Sequence, residues 1–132
     1  MEESVGLGVR IAEFPTTIAA AESAVAHGLS VVMGAPNIVR GGSQSGNVAA
    51  SALLRRGLLH ILSSDYVPSS PLQAVFQLVA DGTLRLEEGA KLISTNPAKA
   101  VGLDDRGEIA AGKTSSVYVH TRCRARWHTL WG

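Results

Sequence analysis

Short apolar runs alternate along the chain with longer segments in which apolar residues recur at helical spacing. The short runs, at residues 9–14, 29–33 and 58–62, are rich in Val, Ile or Leu and predict three strands. The middle run has no polar alternation, which is typical of a parallel strand covered on both faces. The order strand, helix, strand, helix, strand, helix therefore predicts an α/β protein with a parallel sheet.

Residues that favour helix ends flank the helical segments. Thr16 or Thr17 is expected to cap the first helix, Asn47 the second and Asn96 the last. A long loop at residues 34–47 is predicted to lead from the second strand to the second helix, because it contains four glycines and a proline. The predicted helical segments are residues 18–28, 48–56, 71–82, 86–94 and 96–103.

The composition limits the class of protein. A chain of 132 residues with 45% hydrophobic and 17% charged residues is expected to form one globular domain. The net charge of +1 gives no electrostatic reason to expect a nucleic-acid or membrane partner. No apolar run approaches the roughly 20 residues needed to span a bilayer, and the acidic N-terminus does not resemble a signal peptide. Cys123 is the single cysteine, so a cytoplasmic location without an intrachain disulfide is expected.

Asp65 is the first candidate for chemistry, because it follows the third apolar run directly in the segment "LLHILSSDYVPSS". An Asp at this place often caps a turn. The functional alternative is a metal ligand that also takes a proton from metal-bound water. A catalytic metal needs further ligands, and the four histidines of the chain, His27, His60, His120 and His128, form neither an H-x-H nor an H-E-x-x-H pair. His60 lies in an apolar run and is expected to be a structural residue.

The segment "RGGSQSGN" at residues 40–47 is the second candidate. Glycines allow backbone N–H groups to turn toward an anion, and the following helix brings its positive dipole end. The chain has no P-loop motif, and a flexible connector is the alternative interpretation. Glu13 is a third candidate, because its turn is expected to open on the same rim as the Asp65 loop. The candidate anion-binding residues are Arg40, Gly41, Gly42, Ser43, Ser45 and Asn47.

Four segments, "AEFPTT", "GAPNIVRGGSQSGN", "LLHILSSDYVPSS" and "TNPAKAVGLDDRGEIAAGK", together resemble the phosphonate-metabolism protein M family of the amidohydrolase superfamily. The resemblance implies a hydrolase that uses a divalent metal such as zinc and releases diphosphate from a ribose 1-alkylphosphonate 5-triphosphate. It also implies a distorted (β/α)₈ barrel with a small β-domain. Residues 1–103 would form the last three βα units of the barrel, and residues 104–132 a C-terminal β segment with a divergent basic tail.

The same resemblance assigns roles to residues and shows what the chain lacks. Asp65 matches the Asp after the eighth strand, which in the superfamily binds metal and handles the proton of the attacking water. The loop after Arg40 would face the polyphosphate, although Gln44 stands where the family commonly has a His. The H-x-H pair, the bridging carboxylate and the later His ligand of the superfamily have no counterpart in the chain, so no metal is expected to bind to it alone.

Three hypotheses follow for the function. In the first, the chain is the C-terminal third of the triphosphate hydrolase and is inactive alone, and its tail is hypothesised to come from a shifted reading frame. Alternatively, a second polypeptide supplies the missing half of an active enzyme. The third hypothesis is a non-catalytic phosphate- or nucleotide-binding module that uses the Gly/Ser loop. Self-association is expected through exposed edges of an incomplete barrel.

Overall fold

The computed structural model of the protein describes residues 8–40 and 49–114, and these contain a three-stranded parallel sheet. The strand order is β1-β2-β3, and in the register Val32 pairs with Ile61 and Gly34 with Ser63. The predicted α/β architecture with a parallel sheet is confirmed, whereas the partial barrel and the boundary after residue 103 remain predictions. The strands are β1 (Ile11–Glu13), β2 (Ser30–Gly34) and β3 (Ile61–Ser63).

Six helices surround this sheet in the described part of the chain, and five of them match the predicted helical segments. The sixth, α2, was not predicted: it begins directly after β2, in the first residues of what the glycines and Pro36 indicated was a loop. Pro36 lies in the first turn of α2, where a missing N–H costs nothing. The helices are α1 (Ile18–Ala26), α2 (Ala35–Val39), α3 (Ala50–Arg55), α4 (Ser70–Ala80), α5 (Leu86–Ile93) and α6 (Thr95–Ala100).

The helix caps were predicted correctly only in part. Thr17 caps α1, and its Oγ1 accepts a hydrogen bond of 3.1 Å from the Ala20 N–H. The predicted cap of α3, Asn47, lies outside the described residues, and within them the side chain of Asn37 accepts a hydrogen bond from the Ala50 N–H at the start of this helix. The prediction for Asn96 was wrong, because its side chain donates to the His60 carbonyl oxygen instead of capping α6.

The hydrophobic core lies against the middle strand. Val31 and Met33 of β2 pack into the main cluster of buried residues with helices α1 to α5, and the intervening Val32 is also buried. Successive residues of a strand point to opposite faces, so both faces of β2 are covered, as its continuous apolar sequence predicted. No helix in the described ranges is long and apolar enough to cross a membrane.

His60 is a structural residue, as predicted. The Val31 N–H donates a 3.1 Å hydrogen bond to its Nδ1, and the His60 N–H donates to the Val31 carbonyl oxygen. An Nδ1 that accepts a hydrogen bond carries no proton, so the neutral ring is the form that fits this place. Partial burial lowers the pKa of the His60 imidazole from its ordinary value of 6.5.

Acidification is expected to destabilise the fold through His60. Because the pKa is lower in the folded state, the unfolded chain binds more protons below pH 6.5. The free energy of unfolding should therefore fall as the pH drops from 6.5 through the folded-state pKa. In a His60→Gln variant, the free energy of unfolding measured in urea should fall less steeply between about pH 7.5 and about pH 5. An unchanged slope in His60→Gln would contradict this account.

Candidate functional site

The chain turns sharply at the carboxyl edge of the sheet, and three residues meet there. Phe14 follows β1, Gly34 ends β2 and Asp65 follows β3. A Cβ atom placed on Gly34 would lie 3.2 Å from Asp65 Oδ2 and 3.4 Å from Phe14 Cε1. Phe14 and Asp65 both have φ of 50°, which is uncommon for residues with a side chain and often occurs at functional sites. The turns after β1 and β3 therefore open on one rim, as the sequence predicted.

Asp65 lies in a tight turn that the rest of the protein holds firmly. The Val67 N–H donates to the Ser64 carbonyl oxygen at 2.9 Å. The buried hydroxyl of Ser70 donates to the carbonyl oxygens of Ser64 and Val67, at 3.2 and 2.7 Å. The Asp65 carboxylate accepts no hydrogen bond from another described residue, so within these ranges it does not cap the turn. An exposed carboxylate on a fixed turn is available to water or ligand.

Arg40 reaches the same turn from the neighbouring loop. It is the last described residue before residue 49 and the C-cap of α2. Its Cζ lies 4.9 Å from the centre of the Tyr66 ring, which is within the range of a cation–π contact. Tyr66 follows Asp65 directly in the chain. The Arg40 guanidinium therefore contacts the turn that contains Asp65.

The other candidates fall into two groups. Glu13 is the last residue of β1 and is exposed at the carboxyl edge. His27 lies at the end of α1, and its Nδ1 donates to the Ser23 carbonyl oxygen at 2.7 Å, away from the rim. The remaining candidates lie outside the described residues and stay predictions: Gly41, Gly42, Ser43, Gln44, Ser45, Asn47, His120 and His128.

The described residues do not assemble a metal site by themselves. Within residues 8–40 and 49–114, no group of three or more His, Cys, Asp or Glu side chains lies close enough to hold a metal ion. A catalytic zinc ion commonly needs three protein ligands. Asp65 alone therefore does not fit a catalytic metal, and the metal dependence implied by the motifs remains a prediction.

Sequence reasoning missed three residues of the rim: Phe14, Gly34 and Tyr66. Phe14 and Tyr66 are adjacent to the candidates Glu13 and Asp65, and that adjacency was the only signal available. The role of Gly34 depends on the approach of two loops from neighbouring strands. Such an approach has no counterpart in local sequence patterns.

The fold and the rim define an α/β protein with a carboxylate and an arginine at the carboxyl ends of parallel strands, where ligands bind in open sheets of this kind. No family model matches the sequence and no solved structure matches it. Over 122 residues the chain is 55% identical to the alpha-D-ribose 1-methylphosphonate 5-triphosphate diphosphatase of Escherichia coli (strain K12).

This match covers 91% of the chain and extends into the segment after Lys113, but it spans 32% of the relative's length. The family resemblance of the motifs is confirmed: along the matched residues, the chain belongs to the family of this diphosphatase, the phosphonate-metabolism protein M family.

Proposed function

We propose that the chain forms the C-terminal part of a hydrolase that releases diphosphate from a ribose 1-alkylphosphonate 5-triphosphate in phosphonate catabolism. The match to a diphosphatase whose name specifies such a triphosphate carries this proposal. The carboxyl edge supports it, because the turn that carries the Asp65 carboxylate is also contacted by the Arg40 guanidinium through Tyr66. Hydrolysis of a phosphoanhydride needs both a proton acceptor and positive charge near the phosphates.

Asp65 is the proton acceptor in this proposal. The oxygen of water attacks phosphorus, the P–O bond to the diphosphate breaks, and diphosphate leaves while the sugar keeps its 5-phosphate. The proton of the attacking water passes to the carboxylate of Asp65. The exposure of Asp65 and its firmly held turn support this role, because a general base must reach its water in a fixed geometry.

Arg40 is the anion-binding residue in this proposal. Its guanidinium has a fixed charge and a fork of N–H donors that suits phosphate oxygens. Arg40 forms no ion pair with a carboxylate of the described residues. The loop that follows it, which contains Gly41, Gly42, Ser43, Ser45 and Asn47, is proposed to add backbone and hydroxyl donors.

The remaining ligands of a divalent metal would have to come from polypeptide beyond the described residues. We therefore propose that the site is complete only together with further polypeptide and that the isolated chain is inactive. The metal would supply Lewis-acid chemistry in the complete enzyme. The cytoplasmic location and the self-association through sheet edges remain predictions.

A chimera tests the proposed function. The matched residues of the Escherichia coli diphosphatase are replaced by this chain, and diphosphate release from the ribose 5-triphosphate is measured for the chimera and for the isolated chain. The chimera should release diphosphate and the isolated chain should not, because only the chimera completes the site. A folded chimera without activity, made beside an active parent enzyme, would contradict the proposal.

Binding measurements, together with the turnover of the chimera, distinguish the proposed hydrolase from a non-catalytic phosphate- or nucleotide-binding module. Such a module would bind inorganic triphosphate with the same affinity in the Asp65→Asn variant and after chelator treatment. It would also give no turnover in the chimera. Activity of the isolated chain would contradict the proposal that further polypeptide completes the site.

A further inference from the structure

We propose that Tyr66 is a positioning residue for Arg40 and that the pair forms a binding site for the phosphate chain of a triphosphate beside Asp65. This inference rests on the proposed function and adds to it, since nothing in the sequence motifs assigns a role to Tyr66. The observation behind it is the 4.9 Å distance between Arg40 Cζ and the centre of the Tyr66 ring. The contact joins two loops that follow different strands.

The Tyr66 side of the contact is held rigidly. Tyr66 lies inside the turn closed by the hydrogen bond between the Val67 N–H and the Ser64 carbonyl oxygen. Ser70, which is 1% exposed, stabilises the turn, because its hydroxyl group donates to the carbonyl oxygens of Ser64 and Val67. The Tyr66 residue itself is 61% exposed. Its side chain therefore lies on the surface, available to an incoming cation or ligand, while its backbone is fixed.

The backbone of Arg40 is held from the other side. The Arg40 N–H donates to the Pro36 carbonyl oxygen at 3.0 Å and ends helix α2. The Gln77 side chain of α4 donates to the Ile38 carbonyl oxygen at 3.3 Å, and Ile38 is buried in the core. Among the described residues, Tyr66 contacts the long side chain of Arg40 and restrains it. A restrained guanidinium loses less entropy when it binds an anion.

No carboxylate of the described residues neutralises the charge of Arg40. In the described part of the chain, its guanidinium has no carboxylate partner within salt-bridge distance, whereas Arg106 is held by Asp105 through two hydrogen bonds of 2.9 and 3.1 Å. An aromatic ring attracts the cation without neutralising it. The guanidinium N–H donors therefore remain available for the oxygens of a phosphate chain.

The test measures binding of inorganic triphosphate to the chain by calorimetric titration. Arg40→Gln should weaken binding about tenfold, because it removes a charge-assisted hydrogen-bond donor. Tyr66→Leu should weaken binding about two- to fivefold, in line with an exposed cation–π contact, and Tyr66→Phe should stay within about twofold of the wild type. The matched control is Arg85→Gln, which removes an equal charge from an exposed arginine paired with Glu87.

A double variant separates positioning from a general effect on the fold. In the Arg40→Gln background, Tyr66→Leu should have no further effect on the affinity for triphosphate, since the ring then has no cation to hold. Weakening of equal size in both backgrounds would overturn the positioning role. Wild-type affinity of Tyr66→Leu beside weak binding of Arg40→Gln would also overturn it, while leaving the proposed role of Arg40 intact. Wild-type affinity of Arg40→Gln would overturn both.

Discussion

The Asp65→Asn variant of the active chimera is expected to lose about 10²- to 10⁴-fold in kcat for diphosphate release. Asn has almost the same size and shape as Asp, but its amide accepts no proton from the attacking water. Asn is also among the residues that tolerate positive φ, so the turn with φ of 50° at this position should keep its form. The expected loss therefore reports on chemistry and not on folding.

Two controls accompany this measurement. Asp104→Asn removes another exposed carboxylate, 39 residues along the chain from Asp65, and should leave kcat unchanged. The free energy of unfolding of the isolated Asp65→Asn chain should stay within about 0.5 kcal/mol of the wild type, as is usual for surface substitutions. Diphosphate release at the parent rate by the folded Asp65→Asn chimera would exclude Asp65 as the proton acceptor.

The strands and five of the six described helices could be predicted because each depends on a local pattern. Val31, Val32 and Met33 of the middle strand are buried, and Gly28 ends α1 with φ of 75°, which suits a residue without a side chain. Helix α2 was missed because its five residues are too few to show helical periodicity. Asn96 was misjudged because an Asn before Pro resembles a cap, whereas its partner, the His60 carbonyl oxygen, is distant in sequence.

The candidate site, like the fold, could be predicted from the sequence only in part. Asp65, Glu13 and Arg40 could be proposed from the sequence, because Asp65 follows a predicted strand, Glu13 lies near the end of another and Arg40 begins the glycine-rich segment. The contact between Arg40 and Tyr66 joins residues from two separate loops, and both side chains are exposed. Exposed side chains leave no hydrophobic periodicity, so only coordinates reveal such a pair.

Gly89 shows how close packing between helices makes a glycine necessary where helix propensity alone would favour alanine. It lies in the middle of α5, and a Cβ placed there would come within 2.6 Å of Val75 Cγ1 on α4. Val75 is 1% exposed, and a β-branched side chain in a helix has little rotameric freedom. Val75 therefore cannot move away cheaply.

Gly89→Ala is accordingly expected to destabilise the chain by about 1 kcal/mol. Overpacking costs roughly 1–3 kcal/mol, and this outweighs the roughly 1 kcal/mol that Ala gains over Gly in a helix interior. The Val75→Ala variant alone should lose about 2 kcal/mol through its cavity. In that background, Gly89→Ala should become stabilising, because the methyl group that it meets is gone.

Urea unfolding of the wild type, both single variants and the double variant gives this coupling between Gly89 and Val75 directly. The change of sign is what identifies the contact, since a general weakness of α5 would give the same loss in both backgrounds. Equal destabilisation by Gly89→Ala with and without Val75→Ala would show that the close approach of α4 and α5 does not determine the glycine.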